Sequence, residues 1–158
     1  MERGNLPSSF SVDAFSKSAF EGKGDTRRVR VEPKEYNAQI VGPFGEKTKL
    51  KTESGWLILE VIWQPDDEEQ RQQLGLDKLP TLRQSIFLDL TPGGALDLGP
   101  LKNGDLNRLR EAIGLNQDGQ SWRLEDFIGR PARIKVVHKP NKDDPENPFQ
   151  NVTAVTKV

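Results

Sequence analysis

Gly55-Trp-Leu-Ile-Leu-Glu-Val-Ile-Trp63 is the densest run of aromatic and β-branched residues in the chain, and Pro65 ends it; this is the composition and boundary of a β-strand. Side chains alternate across a strand, so Leu57, Leu59, Val61 and Trp63 share one face while Trp56, Ile58, Glu60 and Ile62 share the other. One set faces a core. Both carry apolar residues, so the alternation leaves open which set that is, and whether Trp56 is covered or free to stack.

The flanking segments repeat the strand pattern. Tyr36 to Val41 reads as the preceding strand, approached from Pro33 and ended by Gly42-Pro43 with Gly45, residues that punctuate regular structure. Lys47, Lys49 and Lys51 alternate with Thr48, Leu50 and Thr52, so an extended backbone there carries three lysines on one face. Exposed lysines can follow a phosphate backbone, and equally they discourage edge-to-edge pairing of strands. Downstream, Thr81 to Leu90 resumes the alternation, with Leu82, Ile86, Leu88 and Leu90 suited to a core and Arg83, Ser85, Phe87 and Asp89 opposite. Pro92-Gly93-Gly94 supplies the turn; it lacks the spacing and Lys-Ser/Thr ending of a phosphate loop.

One helix follows. Asn103 or Asp105 can cap its start, Leu106, Leu109 and Ile113 form an apolar stripe, and Gly114 can end it. A core role is expected for that stripe, and a solvated or salt-bridged one for Arg108 and Arg110. Trp122 and Phe127 read as core flanks. Gly129 to Val137 is a fourth strand with Ala132, Ile134 and Val136 on one side and Arg133, Lys135 and Val137 on the other, and Val152, Ala154 and Val155 belong to a fifth. The resulting order, β-β-β-α-β-β, predicts an all-β domain with one short helix, a five-stranded barrel of the oligonucleotide/oligosaccharide-binding (OB) kind. His138 to Phe149 then forms the hairpin loop between the last two strands, a frequent nucleic-acid clamp in such barrels, which makes Lys139 and Lys142 candidates beside the acids Asp143, Asp144 and Glu146.

Residues 1–30 read as a polar, flexible N-terminal tail and 31–158 as the domain. Phe10, Phe15 and Phe20 recur every five residues, a spacing that does not align on one helix face; they suit packing onto the domain or docking on a partner. Asp66 to Leu79 is an acidic, Gln-rich insertion with a helical turn expected from Asp67 to Leu74, placed away from any nucleic-acid groove by its charge.

Composition removes several chemistries. The 158 residues are 34% apolar and 30% charged, sufficient for one small domain with a tail, and contain no cysteine and one histidine, His138. Disulfides, thiolate metal sites, cysteine nucleophiles and multi-histidine sites are therefore excluded, and no cofactor is expected. No apolar run reaches membrane-spanning length and no signal peptide is recognisable, so the expectation is a cytoplasmic protein with no membrane partner. Net charge is −1, but Lys23 to Lys51 holds eight Lys/Arg against four acids, Arg130 to Lys142 five against none, and Glu60 to Asp77 six acids against one Arg. A local field, not the total, captures a polyanion, although a charge run can equally be a solvated face.

Ser85-Ile-Phe-Leu-Asp-Leu-Thr91, Gly94-Ala-Leu-Asp97, Lys102-Asn103, Leu109-Arg-Glu-Ala112, Ile128-Gly-Arg130 and Phe149-Gln-Asn-Val152 together resemble phage-encoded single-stranded DNA-binding proteins from replication and recombination gene clusters. The resemblance covers about residues 30 to 158. It implies an OB-like barrel, binding of single-stranded DNA in the bacterial host cytoplasm, and work beside replication or recombination proteins. Many such proteins end in an acidic tail that recruits partners; here the chain runs through Val152-Thr-Ala-Val-Thr-Lys-Val158, which reads as a strand, and the Phe-bearing N-terminal tail takes the place of recruiter. The expected mechanism is phosphate pairing by Lys47, Lys49, Lys51, Arg83, Arg133, Lys135 and Lys139 with base stacking on Trp56 and Phe87, which tolerates any base. Monomer and homodimer are both compatible with the sequence. Two rivals stand: a metal-dependent nuclease using clustered carboxylates, and an OB-like protein-interaction module in phage assembly or regulation.

Overall fold

A computed structural model describes residues 6–158. Its frame is one antiparallel sheet of six strands: β1 (Glu35–Ile40), β2 (Lys49–Glu53), β3 (Trp56–Asp66), β4 (Leu82–Phe87), β5 (Pro131–Lys139) and β6 (Phe149–Thr156), with three short helices, α1 (Val12–Ser16), α2 (Glu68–Leu74) and α3 (Gly104–Ala112). The chain is thus mostly β, as expected, but the barrel of five strands is not what forms. Among the described residues there are six strands, and the sheet is open: β4 pairs with β3, β6 pairs with β5, and β4 and β6 share no ladder.

The sixth strand arises because the first one breaks. β2 pairs with the first half of β3 and β1 with the second half, both on the edge of β3 opposite β4, so β1 and β2 lie in one line separated by Val41–Thr48. Pro43 has no amide hydrogen to place in a ladder. Gly42 sits so close to the 128 side chain that a Cβ would stand 2.5 Å from Ile128 Cγ2. Buried Thr48 repairs the gap: its hydroxyl donates to the Val41 carbonyl (2.9 Å) and accepts from the Ile62 amide (3.0 Å). Lys47 consequently lies in the turn before β2, and the row of three lysines shortens to Lys49 and Lys51.

Tyr36, Ala38 and Ile40 of β1, Leu59, Val61 and Trp63 of β3, Ile86 and Leu88, the α3 stripe Leu106, Leu109 and Ile113, and Ala132, Ile134 and Val136 of β5 form one core, with Phe127 fully enclosed. The outward set of β3 is therefore the one led by Trp56. Leu90, assigned to the core by alternation, is exposed because β4 ends at Phe87 and Leu90 only bridges to Leu96 across the Pro92-Gly93-Gly94 turn. Arg110, expected to be solvated or salt-bridged, is instead buried with its guanidinium 4.0 Å from the Trp122 ring centre and donating to the Leu115 carbonyl. Asn103 precedes α3 without capping it; its side chain instead donates to the Asp89 and Asp97 carbonyls and accepts from the Asp89 amide, fastening the turn to the helix start.

The N-terminal region divides in two. Residues from Thr26 to Glu32 are stitched to the domain: the Arg28 amide donates to Asn147 Oδ1, the Val31 amide to Gln150 Oε1, the Glu32 amide to Gln70 Oε1, and His138 Nε2 meets the Val31 carbonyl at 2.7 Å. Further out, where no helix was expected, Ser11 caps the five-residue α1 by accepting from the Ala14 amide. Phe15 packs on Phe10 and on Phe20, with ring centres 5.5 and 5.3 Å apart, and all three rings are exposed, so they cover one another without entering the core. In the acidic insertion, Asp67 caps α2 and pairs with Lys34, while Gln70 is buried and donates to the Tyr36 hydroxyl. No helix among the described residues is long and apolar enough to cross a membrane.

Candidate nucleic-acid interface

The outward face of β2, β3 and β4 is built in cross-strand rows. Lys49, Glu60 and Ser85 are in register, Lys51, Ile58 and Phe87 form the next row, and Glu53 with Trp56 the last. Residues diagonal across a ladder remain within reach of aromatic rings. Trp56 and Phe87 use that reach: their ring centres are 5.6 Å apart at 48°, and they are 48% and 51% exposed. Each ring supports the other and leaves an apolar step open to solvent, flanked by Lys51 in the Phe87 row.

Between these cations sits an acid. The Glu60 side chain is only 10% exposed, with Lys51 Nζ at 3.0 Å and Arg83 at 3.7 Å. Burial pushes its carboxyl up, but the Lys51 hydrogen bond and the charges of Lys51, Arg83 and Lys49 outweigh that and hold it below the usual carboxylate range. Two of the expected phosphate contacts are thus engaged internally. Nothing in the alternation of Glu60 with its neighbours signals this, since pairing depends on β2 and β4 flanking β3.

Arg83 points from β4 toward a cleft of about 870 Å³ bordered by β6, and Lys139, opposite Phe149 in the β5–β6 ladder, lines the same cleft. Arg28 and Arg30 reach it from the stitched N-terminal segment. Sequence reasoning placed both arginines in a tail; the basic run was visible, its destination was not. Phe149, 55% exposed, was likewise missed as a site residue because it closes a loop rich in Pro and Asn.

Arg133 and Lys135 lie elsewhere. Arg133 is opposite Asn37, which is opposite Asp66, the end of β3 roughly 30 Å along the strand from Trp56. Its guanidinium is paired with Glu35 at 3.2 Å. Their shared outward direction is real, but β1 intervenes between them and the aromatic step. Lys142 lies in the exposed hairpin loop.

No family model and no curated protein matches the chain. The interface is therefore judged on its geometry. The nuclease alternative gains no constellation: Asp66 pairs with Arg71, Asp67 with Lys34, and among the described residues no group of three or more His, Asp or Glu could hold a metal ion.

Proposed function

We propose that this domain binds single-stranded DNA with little sequence preference, in phage replication or recombination as the sequence resemblance implies. The observation that carries the reading is the half-exposed Trp56–Phe87 pair set among Lys49, Lys51 and Arg83. Stacking on such a step is worth ~1–3 kcal/mol per base and is indifferent to base identity, while the lysines and Arg83 supply salt-dependent phosphate attraction. The OB-like reading belongs with it: with β1 and β2 taken as one interrupted strand and the short α2 taken as an insertion between β3 and β4, that strand and then β3, β4, α3, β5 and β6 follow the β-β-β-α-β-β order.

The second reading, a protein-interaction module, is favoured by the exposed Phe10–Phe15–Phe20 cluster, since clustered surface aromatics mark docking sites. A titration with fluorescent oligothymidine at low and moderate salt, against a matched duplex, decides between them. Salt-sensitive binding to the single strand with little to the duplex is expected, and the neutral Lys49→Gln/Lys51→Gln variant should weaken it, with thermal unfolding verifying that the domain stays folded. Absence of binding at low salt would leave the interaction module as the better reading.

A further inference from the structure

We propose that the cleft between β4 and β6 carries the phosphate backbone of the bound strand beyond the aromatic step, with Arg28 brought in by the N-terminal segment, Lys139 by the end of β5, and Phe149 as a second stacking surface. The proposal rests on the single-strand reading and extends the site to residues outside the Trp56–Phe87 face.

Four cations, Arg28, Arg30, Arg83 and Lys139, line this cleft, against two acids, Glu60 and Asp105. Both acids are occupied, Glu60 by Lys51 and Arg83, Asp105 by Arg108 at 2.5 Å. Among the described residues, the Arg28 guanidinium and the Lys139 ammonium make no ion pair or side-chain hydrogen bond, and Arg30 spends its Nε on the Pro148 carbonyl (2.9 Å), with one terminal nitrogen only 3.4 Å from the Val29 carbonyl. Surplus positive charge is what a cleft needs to take a polyanion.

Position is as telling as charge. Arg28 is held where it is through its backbone, its amide donating to Asn147 Oδ1 at 2.5 Å while Asn147 Nδ2 donates to the Thr26 carbonyl. The side chain is left to the cleft, so the ordering cost of the segment is met before any ligand arrives. The cleft is also continuous with the aromatic step: Glu60 and Ser85, which line it, form the row next to Ile58 and Phe87, two residues or about 7 Å along β4. Phe149 stands at the far side, opposite Lys139 in register.

The test compares full-length protein with Arg28→Ala/Lys139→Ala on oligothymidines of about 5 and about 15 nucleotides, within the range one such fold covers. For the longer strand, affinity should fall roughly tenfold and the log–log salt slope should decrease by about 1.4, the value for two lost single-strand phosphate contacts. The shorter strand, which overlaps the cleft with fewer of its phosphates, should lose clearly less affinity than the longer one. Phe149→Ala should weaken the longer strand with its salt slope unchanged, and Arg133→Ala, one charge removed beyond β1 and far from the aromatic step, should leave both strands within about twofold. Thermal unfolding verifies that each variant is folded. Unchanged binding of the longer strand by Arg28→Ala/Lys139→Ala overturns the proposal, as does equal loss on both lengths or with Arg133→Ala. Failure of the unaltered protein to bind either strand instead overturns the single-strand reading beneath it.

Discussion

The Lys51 ammonium lies 3.0 Å from the Glu60 carboxylate although the two are not opposite one another: Lys49 faces Glu60 in the ladder, and Lys51 reaches it diagonally. The contact puts a negative group at the centre of a face otherwise suited to phosphates, so single-strand binding there has to compete with it.

Glu60→Gln should therefore tighten binding. Removing the carboxylate charge releases Lys51 and Arg83, adding about one phosphate contact and steepening the log–log salt slope by about 0.7. Anisotropy titrations at three salt concentrations measure both quantities. A looser complex with an unchanged slope would mean that Glu60 contacts the bound strand favourably.

The same residue makes stability depend on pH. Glu60 titrates below its usual range in the folded protein, as does Asp67 through its hydrogen bond from Lys34 and that from the Gln70 amide. A depressed folded value means the unfolded chain binds protons first as pH drops. The stabilisation is present above the ordinary values, 4.5 for a glutamate and 3.8 for an aspartate, and is lost as pH falls through the lower folded values. Thermal midpoints recorded between pH 7 and pH 3 should decline over that acid interval, and Glu60→Gln should flatten part of the decline.

Trp56→Ala and Phe87→Ala should each cost ~1–3 kcal/mol of single-strand affinity, roughly 5- to 150-fold, with the salt slope preserved. Their exposure predicts small changes in thermal midpoint. Equal affinity in both variants would remove the aromatic step from the site.

Thr48→Val tests the repair of the broken strand. The isosteric change deletes a hydroxyl that bridges Val41 and Ile62 in a fully buried position, leaving a carbonyl and an amide without partners at a cost of about 1–3 kcal/mol. Urea unfolding should show that loss, and Thr48→Ser, which keeps the hydroxyl, should recover most of it.

What the sequence made legible follows from the range of each interaction. The α3 stripe, the alternation in β3, in β5 and in β4 as far as Leu88, and the turn at Gly42-Pro43 are local patterns that appear where the residues place them, although β3 runs on through Pro65 to Asp66 and the β4 alternation stops before Leu90. The alternation of Lys47 to Thr52 suggested an extended backbone, but that Lys49–Glu53 counts as a sixth strand in line with β1 is a fact about pairing with β3 and not about its own composition. The inward face of β3 was ambiguous because Ile58 and Ile62 are apolar yet lie on the outward side, where the first is covered by its neighbours. Arg133 and Lys135 looked like companions of the lysines because alternation reports direction from a strand, not the place of that strand in a sheet. Arg28 and Arg30 looked like tail for the opposite reason: their partners, Asn147 and Pro148, stand 119 and 118 positions away.

That separation also sets an order of events during synthesis. The Thr26–Glu32 segment emerges from the ribosome more than a hundred residues before the side chains and carbonyl that hold most of it, from His138 to Gln150. Contacts so distant along the chain form late and slowly. Until the β5–β6 hairpin has been made the basic segment travels without its seat, and its final position is acquired only once that hairpin exists.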